Sequence, residues 1–140
     1  MVVTENRRDS RLPGVLAITS DDRLFYLILS ASIDLSWKIT RARTIERAFE
    51  LCSSQPAPVI IYDECLPDVD WRDALPVVTG FPEHPAVLLA VSEVNEEIWH
   101  GVLKCRGYDA VRRSAGSEEW RRELRFAGLS RGAARNQQSA

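Results

Sequence analysis

"VIIYDECLPDVDW", residues 59–71, runs from three aliphatic residues and a tyrosine straight into Asp63, and three more acids follow by residue 70. An apolar run this short and unbroken, without polar alternation, reads as a strand covered on both faces, the pattern of a parallel sheet. Pro67 breaks the chain four residues after Asp63, so the later acids fall in a turn rather than in a continuing ladder. Asp63 therefore stands at the carboxyl end of a buried strand. In open α/β sheets that end is where ligands and chemistry collect.

Working outward, "GVLAIT" (14–19) and "AVLLAV" (86–91) repeat the apolar run, "WKITRA" (37–42) alternates weakly, and "DAVRR" (109–113) is a short fifth strand. Helical spacing fills the gaps. "DDRLFYLILSASI" (21–33) places Leu24, Leu27, Ile28 and Ala31 on one face after Ser20 or Asp21 as N-cap. Thr44 caps a helix with Ile45, Ala48, Phe49 and Cys52 inward. The helix around "DWRDALPVVTG" is expected to be short or kinked, because Pro76 lacks a donor. "NEEIWHGVLKCRG" has Asn95 as cap, Ile98, Val102 and Cys105 inward, and Gly107 as stop. Ser117, Glu118 and Glu119 open a last helix with Trp120, Leu124 and Ala127 as its inner stripe.

Five strand–helix units with apolar strands predict a doubly wound α/β domain: a five-stranded parallel sheet, helices on both faces, right-handed crossovers. The strand ends at Thr19, Asp63, Ala90 to Ser92 and Arg113 then share one edge. The domain spans 13–130, between a flexible segment at 1–12 and a disordered tail at 131–140, both short of large apolar residues. At 140 residues one core is expected, and after Leu129 too few residues remain for an output domain. The net charge of −2 argues against nucleic acid or an anionic membrane as partner. No apolar run is long enough to span a bilayer. Cys52, Cys65 and Cys105 are odd in number and widely spaced, so they read as reduced core thiols of a cytoplasmic chain. His84 and His100 have no partners at ligand spacing and are expected at the surface.

"DECLPDVDW" resembles the loop D-x-x-L-P-D-x-D-G of the receiver (CheY-like) domains of two-component response regulators, with Trp71 at the place of the glycine. "ITRARTIERAFEL" is similar to that family's second strand and helix, and "RGYDAVRRS" to its fifth strand; the resemblance covers residues 14 to 129. It implies a (βα)5 flavodoxin-like fold with strand order 2-1-3-4-5. By resemblance Asp63 is the phosphoacceptor, with Mg²⁺ to neutralise the phosphoryl group, Ser92 as hydroxyl helper and Arg113 in place of a lysine. The implied partners are a sensor histidine kinase or a downstream signalling protein. Docking, or a homodimer, would use the fourth helix, fifth strand and fifth helix. Such a domain is not an enzyme beyond taking phosphate from a kinase or a small phosphodonor.

The chain departs from that pattern at the helpers. Thr19 and Ser20 occupy the places of the Mg²⁺-binding acidic pair, which removes two negative charges. Sliding by two residues brings in Asp21 and Asp22 with strand parity preserved, but carries Leu24 and Ile28 off the packing positions. Arg113 offers a planar fork instead of a compact ammonium, and Ala110 replaces the aromatic residue that reorients on phosphorylation. Phosphorylation is therefore expected to be weakened or lost.

Plainer readings stay open. Asp63 is also a residue that caps its own downstream turn. Asp68 and Asp70 suit a turn and a helix start, Ser92 a cap, and Arg112 and Arg113 a solvated pair. Trp71, Trp99 and Trp120 suit core or rim, with an exposed Trp99 pointing to a partner surface. The functional alternatives are a pseudo-receiver acting through protein contacts alone and a small flavodoxin-like cofactor domain. "ITSDDR", with two acids and no glycine, suits a bound phosphate poorly, and no G-x-G-x-x-G occurs.

Overall fold

Two neighbouring strands and a crossover helix recur through the computed structural model, which describes residues 14–67 and 69–139. The elements are β1 (Gly14–Ile18), α1 (Asp22–Asp34), β2 (Lys38–Ala42), α2 (Ile45–Ser54), β3 (Val59–Asp63), α3 (Trp71–Thr79), β4 (Ala86–Val91), α4 (Glu96–Lys104), β5 (Asp109–Arg112) and α5 (Ser117–Ser139). All four strand pairings are parallel, in the order β2-β1-β3-β4-β5, as the resemblance implies. β3 is the middle strand: Ile61 lies opposite Ala17 on one side and Leu88 on the other.

Strand parity sorts the core into two layers. Leu16, Ile18, Ile60, Tyr62 and Val87 pack with Ala48, Cys52, Leu75, Val78 and Val102 from α2, α3 and α4. Val15, Ala17, Val59, Ile61 and Leu88 pack with Leu24, Ile28, Ala31, Trp120 and Leu124 from α1 and α5. Thr19 and Asp63 continue the second parity, so both point toward the layer of α1 and α5.

The helix starts follow the chemistry of the orphan N–H groups. The side chains of Asp21, Thr44, Asp70 and Asn95 each accept from a backbone N–H of the first turn. α3 is short, nine residues with Pro76 inside it. Pro76 leaves the carbonyl of Arg72 without its usual donor, and the Cys105 thiol approaches that oxygen at 3.7 Å.

Several expectations change. α4 is stopped by Arg106, which takes the left-handed conformation (φ 66°), and not by Gly107. Gly107 is required for space, since a Cβ there would meet Val102 Cγ1 at 2.7 Å. Phe49 is half exposed rather than inward, with its ring edge against Phe81 at 5.5 Å. Of the three cysteines only Cys52 is a core thiol; Cys65 is exposed and Cys105 intermediate. The helical backbone of α5 continues past residue 130 into the stretch that composition reads as a tail. The N-terminal segment 1–12 and Asp68 lie outside the described residues. No helix among the described residues is long and apolar enough to cross a membrane.

Trp71 stands where the related loop has glycine, and its buried ring wedges under α4. A Cβ on Gly101 would lie 2.7 Å from Trp71 Cη2. Alanine in a helix interior normally gains about 1 kcal/mol over glycine, but overpacking a fixed ring costs about 1–3 kcal/mol. Gly101→Ala is therefore expected to lower the melting temperature, and a rise would show that Trp71 is free to move.

Candidate functional site

Asp63 is 1% exposed, and its carboxylate is fully engaged by the chain itself. The Thr19 hydroxyl donates to Oδ2 at 2.7 Å, and the Cys65 N–H donates to Oδ1 at 3.0 Å, closing a turn on the acid that begins it. Arg113 covers the rest. Its Nε lies 3.1 Å from Oδ1, and its Nη2 donates to Oδ2 at 3.4 Å. The Nε–H is not aimed along that short approach, so this buried nitrogen is an ion-pair partner without a hydrogen bond.

The backbone fixes these positions. Thr19 follows β1 directly, and its N–H donates to the carbonyl of Ala42 at 3.0 Å. Arg113 follows β5 and is held by its N–H on the carbonyl of Val91 at 2.7 Å. The tips of β1, β3 and β5 thus converge on one carboxylate. The Arg113 guanidinium also reaches Cys65 Sγ at 3.2 Å and ion-pairs with Asp21, the N-cap of α1. Asp21 is held in turn: its Oδ1 accepts from the Arg23 N–H, and its own N–H donates to the Thr19 hydroxyl oxygen. Two carboxylates, Asp21 and Asp63, share one guanidinium.

The other residues singled out by sequence are placed differently. Asp22 turns away to Arg41 at 2.8 Å and Arg43 at 3.7 Å. The Arg41 hydrogen bond, and then the charges of Arg41 and Arg43, hold the Asp22 carboxyl below its ordinary value. Ser20 is exposed and accepts through its backbone carbonyl from Arg43 at 3.5 Å. Ser92 is exposed, and it is its backbone N–H that enters the network, donating to Glu64 at 2.6 Å. Asp70 caps α3. His84 and His100 are both exposed. The roles of Glu64, Cys65 and Arg41 carry no signal in the sequence, because each depends on a partner that only the fold brings near.

This donor set does not fit Mg²⁺. A divalent ion of this kind wants carboxylates and waters around it in octahedral geometry. Asp63 and Asp21 already share one guanidinium, which offsets one of their two charges, Asp22 faces elsewhere, and Thr19 brings a hydroxyl that donates to Asp63. No group of three or more His, Cys, Asp or Glu stands at metal-ligand distances among the described residues.

A second ionisable cluster lies where α5 meets β5. Burial first, then a hydrogen bond with Asp109 and the charge of Asp109, push the Glu123 carboxyl above its ordinary 4.5; Glu119 adds to the rise and Arg122 opposes it. Burial, then the charges of Glu123 and Asp109, also raise Tyr108. The folded chain then holds the Glu123 proton at pH values where the unfolded chain has released it, so stability falls as pH rises upward from about 4.5. Glu123→Gln is expected to flatten that fall in urea titrations taken across the mildly acidic range, and an unchanged slope would assign it to another group.

No protein-family model matches the sequence, and no curated protein matches it. Solved structures do. The fold is similar to the signal receiver domain of an HD domain-containing protein from Pseudomonas fluorescens Pf-5, at TM-score 0.78 and 18% identity over 90% of this chain and 93% of that one. It is similar to a response regulator from Thermotoga maritima, at TM-score 0.76 and 12% identity over 84% and 98%. A CheY-like response regulator receiver domain protein from Methanospirillum hungatei JF-1 gives TM-score 0.76 and 10% identity over 88% and 98%.

Proposed function

We propose, from a chain that has the receiver fold, a signalling module in which the phosphoacceptor position, Asp63, has become a structural ion pair, so that the molecule works through protein contacts without taking phosphate. One observation carries the reading: the oxygens of Asp63 are occupied by Thr19, Cys65 and Arg113. A carboxylate that is to attack a phosphoryl donor needs a free oxygen and a divalent cation beside it to offset the charge of the incoming group. Here the guanidinium takes the cation's electrostatic place and a hydroxyl proton covers the other oxygen.

Protein contacts have a surface to use. Gly101 faces Trp71 of α3, which by helical geometry turns Trp99 and Leu103 to the flank of α4 next to β5. Both are nearly half exposed, as is Phe126 on α5 across the same edge strand. Two-component signalling partners, a sensor kinase or a downstream protein, are the class this surface suits in a receiver-like domain.

Incubation with Mg²⁺ and acetyl phosphate, followed by intact mass measurement, is expected to leave the chain unmodified. A phosphoryl adduct on the wild-type chain that disappears in Asp63→Asn would sink the proposal and restore Asp63 as a working phosphoacceptor.

A further inference from the structure

α1 is apolar on both of its long sides. No charged residue occurs between Leu24 and Ile33. Leu24, Ile28 and Ala31 are buried against the sheet and α5. Tyr26, Leu29, Ser30 and Ile33 recur at i, i+3, i+4 and i+7 on the opposite side, where Tyr26 is 63% and Ile33 64% exposed. A helix that is apolar all round is normally enclosed. This one has a single covered face.

The charges at its ends indicate what covers the other. Arg23, in the first turn, and Asp34, in the last, lie on the same flank of the outer stripe by helical spacing. Arg23 makes no ion pair with any described residue, and Asp34 meets Arg121 at 3.3 Å. Both stand at the end of the helix dipole that disfavours their sign, and the last turn holds no basic residue. A second helix laid antiparallel along the stripe brings the same flanks face to face, so that Arg23 meets Asp34 of the other copy, beside that copy's helix C-terminus. A parallel arrangement would set like charges level with each other.

We propose that this face is the contact of a two-fold homodimer, with α1 antiparallel to α1 of a second copy, Tyr26 over Ile33 and Arg23 against Asp34 in both halves. One helix face is small among specific interfaces, so the association is weak and concentration-dependent. The proposal does not depend on the state of Asp63.

Sedimentation velocity across a concentration series is expected to show monomer and dimer for the wild-type chain. Ile33→Asp is expected to weaken the dimer by about tenfold or more, and Trp99→Asp to leave it unchanged. Arg23→Asp and Asp34→Arg should each weaken it, and the double exchange should restore it. Circular dichroism of each variant checks that these exposed substitutions leave the fold intact. A wild-type chain that stays monomeric overturns the proposal, as does a dimer that survives Ile33→Asp or is lost with Trp99→Asp. Failure of the double exchange to restore association overturns the antiparallel pairing.

Discussion

Arg113→Ala is expected to lower the unfolding free energy by about 3 kcal/mol or more, a large share of what a domain of this size has. The reason is asymmetric. Asp63 is almost fully buried while the Arg113 side chain keeps 21% of its exposure. Removing the guanidinium thus leaves a carboxylate in the interior with only the Thr19 hydroxyl and the Cys65 N–H to hold it. Removing the charge from the other side costs less, because in Asp63→Asn the guanidinium retains Asp21 and partial contact with water. The double variant Asp63→Asn with Arg113→Met should recover most of the loss, since a buried pair replaced by matched uncharged groups is often close to neutral. Urea denaturation of the wild type, Asp63→Asn, Arg113→Met and the double variant forms a double-mutant cycle, with Arg113→Ala measured beside it. A loss below about 1 kcal/mol in Arg113→Ala would mean that the pair behaves as a surface salt bridge, and Asp63 would then not be structurally committed.

Trp120→Ala is expected to cost about 3–5 kcal/mol, the range for deleting a large aromatic side chain from a core. Trp120 is fully buried and stands with Leu124 and Ala127 on the inner stripe of α5, packed against β1, β3, β4 and α1. It is the largest of the fully buried side chains, so little around it can collapse into the space. Trp120→Phe separates packing from polarity. The indole Nε1 is buried with no hydrogen-bond partner among the described residues, and a buried unsatisfied donor costs about 1–3 kcal/mol. Phenylalanine removes that donor while keeping part of the ring, so its cost should be below about half that of alanine. Thermal or urea unfolding measures both. Equal losses in the two variants would mean that the site needs the whole indole and gains nothing from the volume that phenylalanine keeps.

The sheet was legible in the sequence because its signal is local. The apolar runs at β1, β3 and β4 are too short and too unbroken for anything but strands covered on both faces, and the strand order implied by resemblance is the one observed. The caps at Thr44 and Asn95 were legible for the same reason, and that of α1 to within one residue, Ser20 or Asp21, of which the structure takes Asp21: each serves an N–H two or three residues away. Other features were hidden. Phe49 obeys the helical spacing of a core residue yet lies at the margin, because the spacing specifies a face and not how far the neighbouring layer extends. The left-handed stop of α4 falls on Arg106 while Gly107 is dictated by the crowding of Val102, which no local rule separates.

Period and composition along neighbouring residues were enough for the alternation of strand and helix, the parallel sheet and the place of Asp63 at the carboxyl end of a buried strand, while the resemblance supplied the strand order that makes this strand the middle one. The surroundings of Asp63 come from the folded chain. Its partners Thr19 and Arg113 lie 44 and 50 residues away, and Asp21 reaches Arg113 across 92. A carboxylate's chemistry is set by the charges and donors within a few ångströms, and closure of the sheet, rather than any spacing in the chain, brings those groups that near.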